Sequence, residues 1–290
     1  MIYILENHKS GGFSEEAENK LKAHFEGEEI KLLDVCEVES KKDLLSGITE
    51  EDKLVIFGGD GTLNHFINET EPEDYRFPIY AFAGGTGNDF AHDVAKEGED
   101  FILINDYLRD LPSVTVNGKK YRFINGVGYG IDGYCCEKGD EYREKTGKAP
   151  NYTKIAIGGL FGGYHKVNAK VTIDGVTTEY KNVWLAPTMN GRYYGGGMMI
   201  TPEQDRLNPE RELSVCVATA WNPLSILLLF PSIFKGEHVK NKKIVKTFKG
   251  KSVKVEFDRP TALQIDGETV LGVTAYEARS YALEKEAETV

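Results

Sequence analysis

Lys53-Leu-Val-Ile-Phe-Gly58-Gly59-Asp60-Gly61-Thr62-Leu-Asn-His-Phe-Ile-Asn68 is the stretch whose reading decides the fold. Residues 54–57 form an unbroken apolar run, as expected of a strand buried on both faces. Gly58, Gly59 and Gly61 then let the backbone turn sharply and approach a ligand, because no Cβ intervenes. Thr62 is placed to cap a following helix, in which Leu63, Phe66 and Ile67 recur at helical spacing. The free N–H groups of such a helix start suit a phosphate. Taken alone, Asp60-Gly61 is equally an ordinary turn pair, and the loop reads as well as a plain connector.

A second unit of the same kind breaks that tie. Residues 79–83 are another short apolar run, followed by Gly84-Gly85-Thr86-Gly87-Asn88-Asp89 and a helix from Phe90. Two successive strand–glycine–helix units put both loops at the carboxyl edge of a parallel sheet, where ligands of open α/β folds bind. Upstream, a strand at residues 2–5 runs into Asn7-His8-Lys9-Ser10-Gly11-Gly12, a polar loop that suits a phosphate but has the composition of many turns. Ser14 before Glu15 and Glu16 marks a helix start, with Ala17, Leu21 and Phe25 on one face. Residues 30–35 read as a second strand, 41–45 as a short helix, and 101–108 as either helix or strand. This alternation implies a parallel sheet with helical cover.

The pattern changes near Leu111-Pro112. Asn117-Gly118 and Asp174-Gly175 sit between β-rich runs as hairpin turns, and further short strands are expected around residues 183–189, 213–218, 244–248, 253–257, 262–265 and 276–283. Many short strands separated by turns suggest a sandwich. Residues 140–163 read as a polar loop and then a helix, and the acidic residues 284–290 as an exposed tail. The expected fold class is therefore α/β plus β. An N-terminal parallel-sheet α/β domain covers residues 1–112, and a C-terminal antiparallel β-sandwich domain covers residues 113–290, its last strand or tail free to return to the first domain.

Composition narrows the function. With 290 residues the chain is long enough for two domains, and 40% hydrophobic content is ordinary for a globular protein. A formal charge of −11 argues against general nucleic-acid binding, and an anionic ligand needs local help from a metal ion or basic patch. The start lacks a charged-then-apolar leader, and the longest apolar stretch, residues 223–234, is about half the ~20 residues that span a bilayer, so a cytoplasmic protein is expected. Cys36, Cys135, Cys136 and Cys216 show neither metal-ligand spacing nor a disulfide framework, and are expected to be reduced. Residues 235–254 hold eight lysines and one acid, Glu237. They read as solvent faces of strands, or as a patch resting peripherally on an anionic membrane, where each basic residue contributes ~1 kcal/mol. Residues 223–234 lack a charged face, which favours a core helix over one dipping into a bilayer interface.

With both glycine loops in view, the chain resembles the diacylglycerol kinase catalytic-domain family, in particular its soluble bacterial two-domain lipid kinases. Residues 58–62 look like that family's nucleotide motif, and Gly85-Thr86-Gly87-Asn88-Asp89-Phe90-Ala91 like its second motif. Residues 123–132 resemble the segment opening the second domain; residues 190–198 and Ile265-Asp266-Gly267-Glu268 complete the set in order. The resemblance implies transfer of the ATP γ-phosphoryl group to a lipid hydroxyl, with diacylglycerol the first candidate and phosphatidic acid the product, in a site between the domains. It implies ATP and Mg²⁺ as cofactors. There is no Walker-type Gly-x-x-x-x-Gly-Lys-Ser/Thr, so the glycine loops would supply the phosphate cradle.

By position, the resemblance makes Glu268 the general base, and Asp60, Asp89 and Asp132 the acidic residues that organise Mg²⁺ through water. It makes Asn7, Ser10, Gly11, Gly58, Gly59, Gly61, Thr62, Gly85, Thr86 and Asn88 the nucleotide contacts. From the residues alone, Glu268 is a hairpin residue after a turn and Asp132 a turn or cap. Two departures stand out. Where the family places an aspartate-glycine pair at a structural Mg²⁺, this chain has Glu210-Arg211, and the arginine sets a cation beside the ion. His8 also stands where proline is usual. Competing readings are a kinase for another lipid alcohol or for NAD, and a non-catalytic nucleotide-binding protein. Exposed β edges permit a homodimer.

Overall fold

In the computed structural model, which describes residues 1–7, 14–83, 88–281 and 283, the chain divides into two units, Met1–Leu111 and Pro112–Val290. Unit 1 runs β1 (Ile2–Glu6), α1 (Glu15–His24), β2 (Ile30–Asp34), α2 (Lys41–Ser46), β3 (Lys53–Gly58), α3 (Asp60–Glu69), β4 (Ile79–Ala83), α4 (Asp89–Val94), β5 (Phe101–Leu103) and α5 (Asn105–Arg109). Its sheet has the order β2-β1-β3-β4-β5, parallel except for β5, which pairs antiparallel with β4. Alternate residues of the central strands, Ile2, Ile4, Val55 and Phe57, pack with Leu21 of α1 and with Phe25, its C-cap. The Ser14 hydroxyl accepts the Ala17 N–H at 3.2 Å and so starts α1 where the sequence places it. Residues 101–108 resolve into a strand and then a helix. Strand order reverses between β1 and β3, so the chain leaves their carboxyl ends to opposite sides and opens a crevice there. Across it, the Asn7 N–H donates to the Phe57 carbonyl at 3.3 Å.

Unit 2 contains β6 (Ser113–Val116), β7 (Lys119–Arg122), β8 (Gly126–Tyr129), α6 (Ile131–Thr146), α7 (Tyr152–Gly158), β9 (Val167–Ile173), β10 (Val176–Leu185), β11 (Thr188–Met189), β12 (Tyr193–Tyr194), β13 (Met198–Met199), β14 (Leu213–Thr219), α8 (Pro223–Ile233), β15 (Val245–Gly250), β16 (Ser252–Ile265) and β17 (Glu268–Arg279). Its main sheet is ten-stranded, in the order β7-β6-β17-β16-β8-β11-β14-β10-β9, with β15 on β14. The sheet folds over through β16. Residues 253–257 of that strand pair with β9 and residues 263–265 with β8, the register shifting between Glu256 and Thr261. Pro260 falls in this irregular stretch, where a missing N–H costs no ladder bond. Val127, Tyr129, Val171, Val215, Val255 and Leu263 fill the core between the layers. Asn117-Gly118, Asp174-Gly175 and Asp266-Gly267 all have positive φ at both positions, as type I′ hairpin turns require. The last strand, β17, stays in unit 2 between β16 and β6.

Two expectations are corrected. Residues 140–146 belong to α6 and are not a loop. That helix escapes a periodicity search because, after Ile131 at its start, its buried residues are Gly133 and Gly139 and not a recurring set of large apolar ones. A Cβ at Gly133 would stand 2.0 Å from the Ala262 carbonyl oxygen, so the glycine lets α6 lie directly on β16. The second correction is α8. Only Ile226 and Ile233 are buried, while Leu224 and Leu228 face solvent, so it is not a core helix.

Candidate active site

In unit 1 the glycine motif folds as the end of a strand, a cap and a first helical turn. Gly58 closes β3, Gly59 is the N-cap of α3 in extended conformation, and Asp60 opens the helix. Thr62 therefore lies inside the first turn and is not the cap. Its hydroxyl oxygen instead accepts the Asn7 side-chain N–H at 3.2 Å. A Cβ at Gly58 would sit 2.4 Å from that oxygen, so the glycine makes room for Thr62. The first N–H groups of α3 have no acceptor within the helix, and the positive end of its dipole lies there.

Asp60 is buried, and its two oxygens accept backbone N–H groups from the start of α4: Oδ2 from Asp89 at 2.8 Å and Oδ1 from Phe90 at 3.0 Å. Asn88, the N-cap of α4, provides no side-chain cap of its own. One carboxylate thus ties the second glycine segment to the first. Asn7, Gly58, Gly59, Asp60, Gly61, Thr62, Asn88 and Asp89 are gathered at this edge, whereas Ser10, Gly11, Gly85 and Thr86 lie outside the described residues. For Mg²⁺ the donor set decides the fit. Asp60 brings to this edge a carboxylate, the hard oxygen donor that suits the water shell of an ion carried on phosphates. No group of three or more His, Cys, Asp or Glu able to hold a metal directly is found among the described residues.

In unit 2 a second Asp-Gly pair uses its carboxylate in the same way. Asp266 Oδ2 accepts the Ile124 N–H at 2.7 Å, and Oδ1 accepts those of Asn125 and Gly126 at 2.8 and 2.9 Å. The Gly267 N–H donates to Gln264 Oε1 at 2.6 Å. The turn is thereby fixed from both sides, and Glu268, the next residue, is exposed at the head of β17. Beside it, the Thr269 hydroxyl donates to Asp140 Oδ2 at 2.6 Å, while Arg143 donates to Oδ1 at 3.0 Å.

Asp132 lies in the first turn of α6, close to Gly128, where a Cβ would be 3.0 Å from the Asp132 Cβ and 2.5 Å from Gln264 Nε2. Burial pushes its carboxyl up to about 7, against a hydrogen bond from Tyr194 that favours the ionised form. Its buried Oδ2 has no hydrogen-bond partner among the described residues. Cys136, one turn along α6, is pushed up to about 12 by burial and then by the nearby charges of Asp132, Asp140 and Glu268, which places these carboxylates around one helix face.

The motif at residues 190–198 joins the same region. The Asn190 and Gly191 N–H groups donate to the Asn125 carbonyl at 2.9 and 3.0 Å, and the buried Arg206 donates to the Ile124 carbonyl and, at 2.7 Å, to Asn125 Oδ1. A Cβ at Gly191 would lie 2.0 Å from Arg206, so that glycine admits the guanidinium. Sequence reasoning missed Arg206 and Asp140, which carry no motif signal, and gave Tyr194, inside the motif at residues 190–198, no role of its own. It placed Asp266 in a turn and in the motif that ends at Glu268, and gave its carboxylate no role, although a carboxylate before a glycine was the available clue.

Glu210 does not fit a divalent ion. It is exposed and paired with Lys251 at 2.9 Å, and this cation holds its carboxyl below the usual range. The Asn208 side chain closes the loop in its place, accepting the Glu212 N–H at 2.8 Å and donating to the Glu212 carbonyl at 3.1 Å.

Against this geometry, comparison with known proteins finds two matches along the chain. Residues 1–109 match the family described as "Diacylglycerol kinase catalytic domain", and residues 125–281 match "YegS C-terminal NAD kinase beta sandwich-like domain". The chain is 26% identical over 213 residues to a diacylglycerol kinase of Mycobacterium tuberculosis, covering 71% of this chain and 67% of that one. It is 25% identical over 237 residues to a diacylglycerol kinase of Bacillus subtilis, covering 77% and 73%. A crystal structure of a diacylglycerol kinase from Bacillus anthracis superposes with a TM-score of 0.63 at 20% identity, covering 97% of this chain and 94% of that one; at this identity the likeness shows the fold.

Proposed function

We propose, from the premise that this chain belongs to the diacylglycerol kinase catalytic-domain family of lipid kinases, that it transfers the ATP γ-phosphoryl group to diacylglycerol. The observation that carries the reading is the division of labour among the carboxylates. Asp60 and Asp266 are engaged by backbone N–H groups, while Glu268 stands exposed on a turn that Asp266 holds still.

Phosphoryl transfer through a loose transition state asks the protein to position groups and manage charge. In unit 1 the first-turn N–H groups of α3 receive phosphate oxygens, and Asn7 fixes the Thr62 hydroxyl beside them. Asp60 and Asp89 would hold the water shell of a Mg²⁺ ion carried in on the nucleotide, which would offset phosphate charge. In unit 2 Glu268 accepts the proton of the attacking hydroxyl. Asp132, holding its own proton near neutral pH, adds no full negative charge against the anionic donor. Thr269 and Asp140 fix the backbone next to Glu268.

The test is labelled ATP with Mg²⁺, offered diacylglycerol, other lipid alcohols and NAD, with wild type and Glu268→Gln. Labelled phosphatidic acid from wild type, falling 10²- to 10⁴-fold in kcat for the variant, is the expected result. A label on NAD or another alcohol alone would replace the acceptor. ATP binding with no labelled product would make this a nucleotide-binding protein without kinase activity.

A further inference from the structure

The apolar helix α8 lies on the surface of unit 2 with its outer face unpartnered. Leu224, Leu228, Pro231 and Lys235 follow at intervals of four, three and four residues, and all are exposed, so they form one stripe. Trp221, just before the helix, is 79% exposed, Leu228 75%, Leu224 47% and Phe234 45%. The opposite face is anchored by Ile226 and Ile233 in a core cluster with Leu160 and Tyr164. Beside α8 packs the wide helical turn Gly159–Gly163. In that turn Gly159 and Gly163 close onto Tyr134, Leu160 points inward, and Phe161 is left 61% exposed.

Cations flank the stripe at both ends. The Lys166 ammonium sits 4.5 Å from the centre of the Trp221 ring and donates to the Trp221 carbonyl. Lys235, at the other end, forms no ion pair among the described residues. In contrast, several lysines expected to make a basic patch are engaged: Lys240 with Glu237, Lys251 with Glu210, Lys254 with Glu256, and Lys249 with the Glu203 carbonyl.

We propose that the outer face of α8, together with the turn bearing Phe161, docks on the headgroup–acyl boundary of an anionic lipid bilayer. A helix of this length, with aromatic and leucine side chains outward and lysine at each end, lies in the interface plane, because its apolar stripe enters the acyl boundary while the ammonium groups remain at headgroup level. The charge pattern selects the occupant. A second copy packed face to face on this stripe would set Lys166 and Lys235 near the lysines of its own image, whereas an anionic lipid surface offers both of them counter-charge. The choice of a bilayer also rests on the lipid-kinase reading, since the acceptor is a membrane component.

Trp221 supplies the readout. The chain has two tryptophans, and Trp184 is buried, so a fluorescence change on adding vesicles reports Trp221. The intact protein, without ATP, is titrated with phosphatidylglycerol–phosphatidylcholine vesicles at low salt and with pure phosphatidylcholine vesicles, alongside co-sedimentation. The expected result is a blue shift with binding to the anionic vesicles. Leu228→Ser should weaken that binding about tenfold or more, and Lys235→Gln about fivefold on anionic vesicles alone, with unchanged Tm and ATP affinity. Wild type that stays in solution with an unshifted spectrum overturns the proposal. So does undiminished binding by a folded Leu228→Ser, or a self-association that Leu228→Ser abolishes while vesicle binding persists. Turnover of a short-chain diacylglycerol in detergent without vesicle binding sinks the docking surface alone; vesicle binding without labelled lipid sinks the kinase reading alone.

Discussion

Replacing Asp60 by alanine separates an architectural role from a purely metal-organising one. The wild-type carboxylate accepts the Asp89 and Phe90 N–H groups at 2.8 and 3.0 Å in a buried position. A hydrogen bond to a charged group contributes about 1.5–3 kcal/mol, and both are lost together, with two N–H groups left at the start of α4. Water reaching the vacated space recovers part of this, so the expected loss in unit 1 is about 3 kcal/mol. At roughly 4 °C per kcal/mol for a unit of this size, its thermal midpoint falls by about 12 °C. Two units need not unfold together, so the assay is hydrogen exchange resolved by residue, with metal chelated. Protection of the Asp89 and Phe90 amides should drop about a hundredfold, since 1.4 kcal/mol is a factor of ten. If Asp60→Ala keeps that protection and its midpoint without metal, yet binds Mg-ATP poorly, the carboxylate serves the ion only and the reasoning is refuted.

Three further outcomes follow from other contacts. Asp132 titrates near 7 in the folded chain against 3.8 as its ordinary value, so between about 4 and 7 the folded state binds more protons than the unfolded one, and stability falls as pH rises through that window. In metal-free protein, Asp132→Asn should remove that fall and be more stable than wild type at pH 8, the gain vanishing near pH 4; chemical denaturation across pH would show it, and parallel curves would contradict it. Gly133→Ala puts a Cβ 2.0 Å from the Ala262 carbonyl oxygen and should cost more than about 3 kcal/mol, whereas Gly158→Ala, with nothing within 4 Å, should be neutral or stabilising by up to about 1 kcal/mol; equal urea midpoints would count against the packing of α6 on β16. Because Lys251 occupies Glu210, exchanging EDTA for Mg²⁺ should move the Tm of nucleotide-free protein by no more than about 1 °C, and a saturable rise of several degrees would show a structural ion after all.

Local chemistry made much of the fold legible. Strands buried on both faces announce themselves as apolar runs, as residues 54–57 do, and Asn117-Gly118 and Asp174-Gly175 admit few alternatives to a hairpin turn. Illegible features depend on contacts between segments distant in sequence. Beyond Ile131, the buried residues of α6 are glycines whose partners, Ala262 and Tyr152, only the folded chain brings near. Arg206 looks like any loop arginine until Gly191 opens a space for it and Asn125 receives it. For α8 the apolar count pointed to the core, but burial depends on what lies opposite, and opposite Leu228 there is solvent. In the candidate site, the motifs give positions without stating what each carboxylate touches.

Those contacts resolve a difficulty posed by the charge. Under the proposed function a chain of net charge −11, with Asp60, Asp89, Asp132 and Glu268 among its motif residues, handles an anionic nucleotide, a poor match if all four carry exposed charge. They do not. Asp60 lies on the positive end of α4, whose first N–H groups it neutralises and is neutralised by. Asp132 is desolvated enough to hold a proton near neutrality. Asp266 repeats the device of Asp60 with three N–H groups, so the turn before Glu268 is stiff without adding a solvent-facing charge. The acidic residues that share one motif type therefore fail in different ways when replaced. Under the proposed function, loss of Asp60 should act on folding, loss of Asp132 on the pH profile, and loss of Glu268 on turnover, an order that a shared role as metal ligands would not produce.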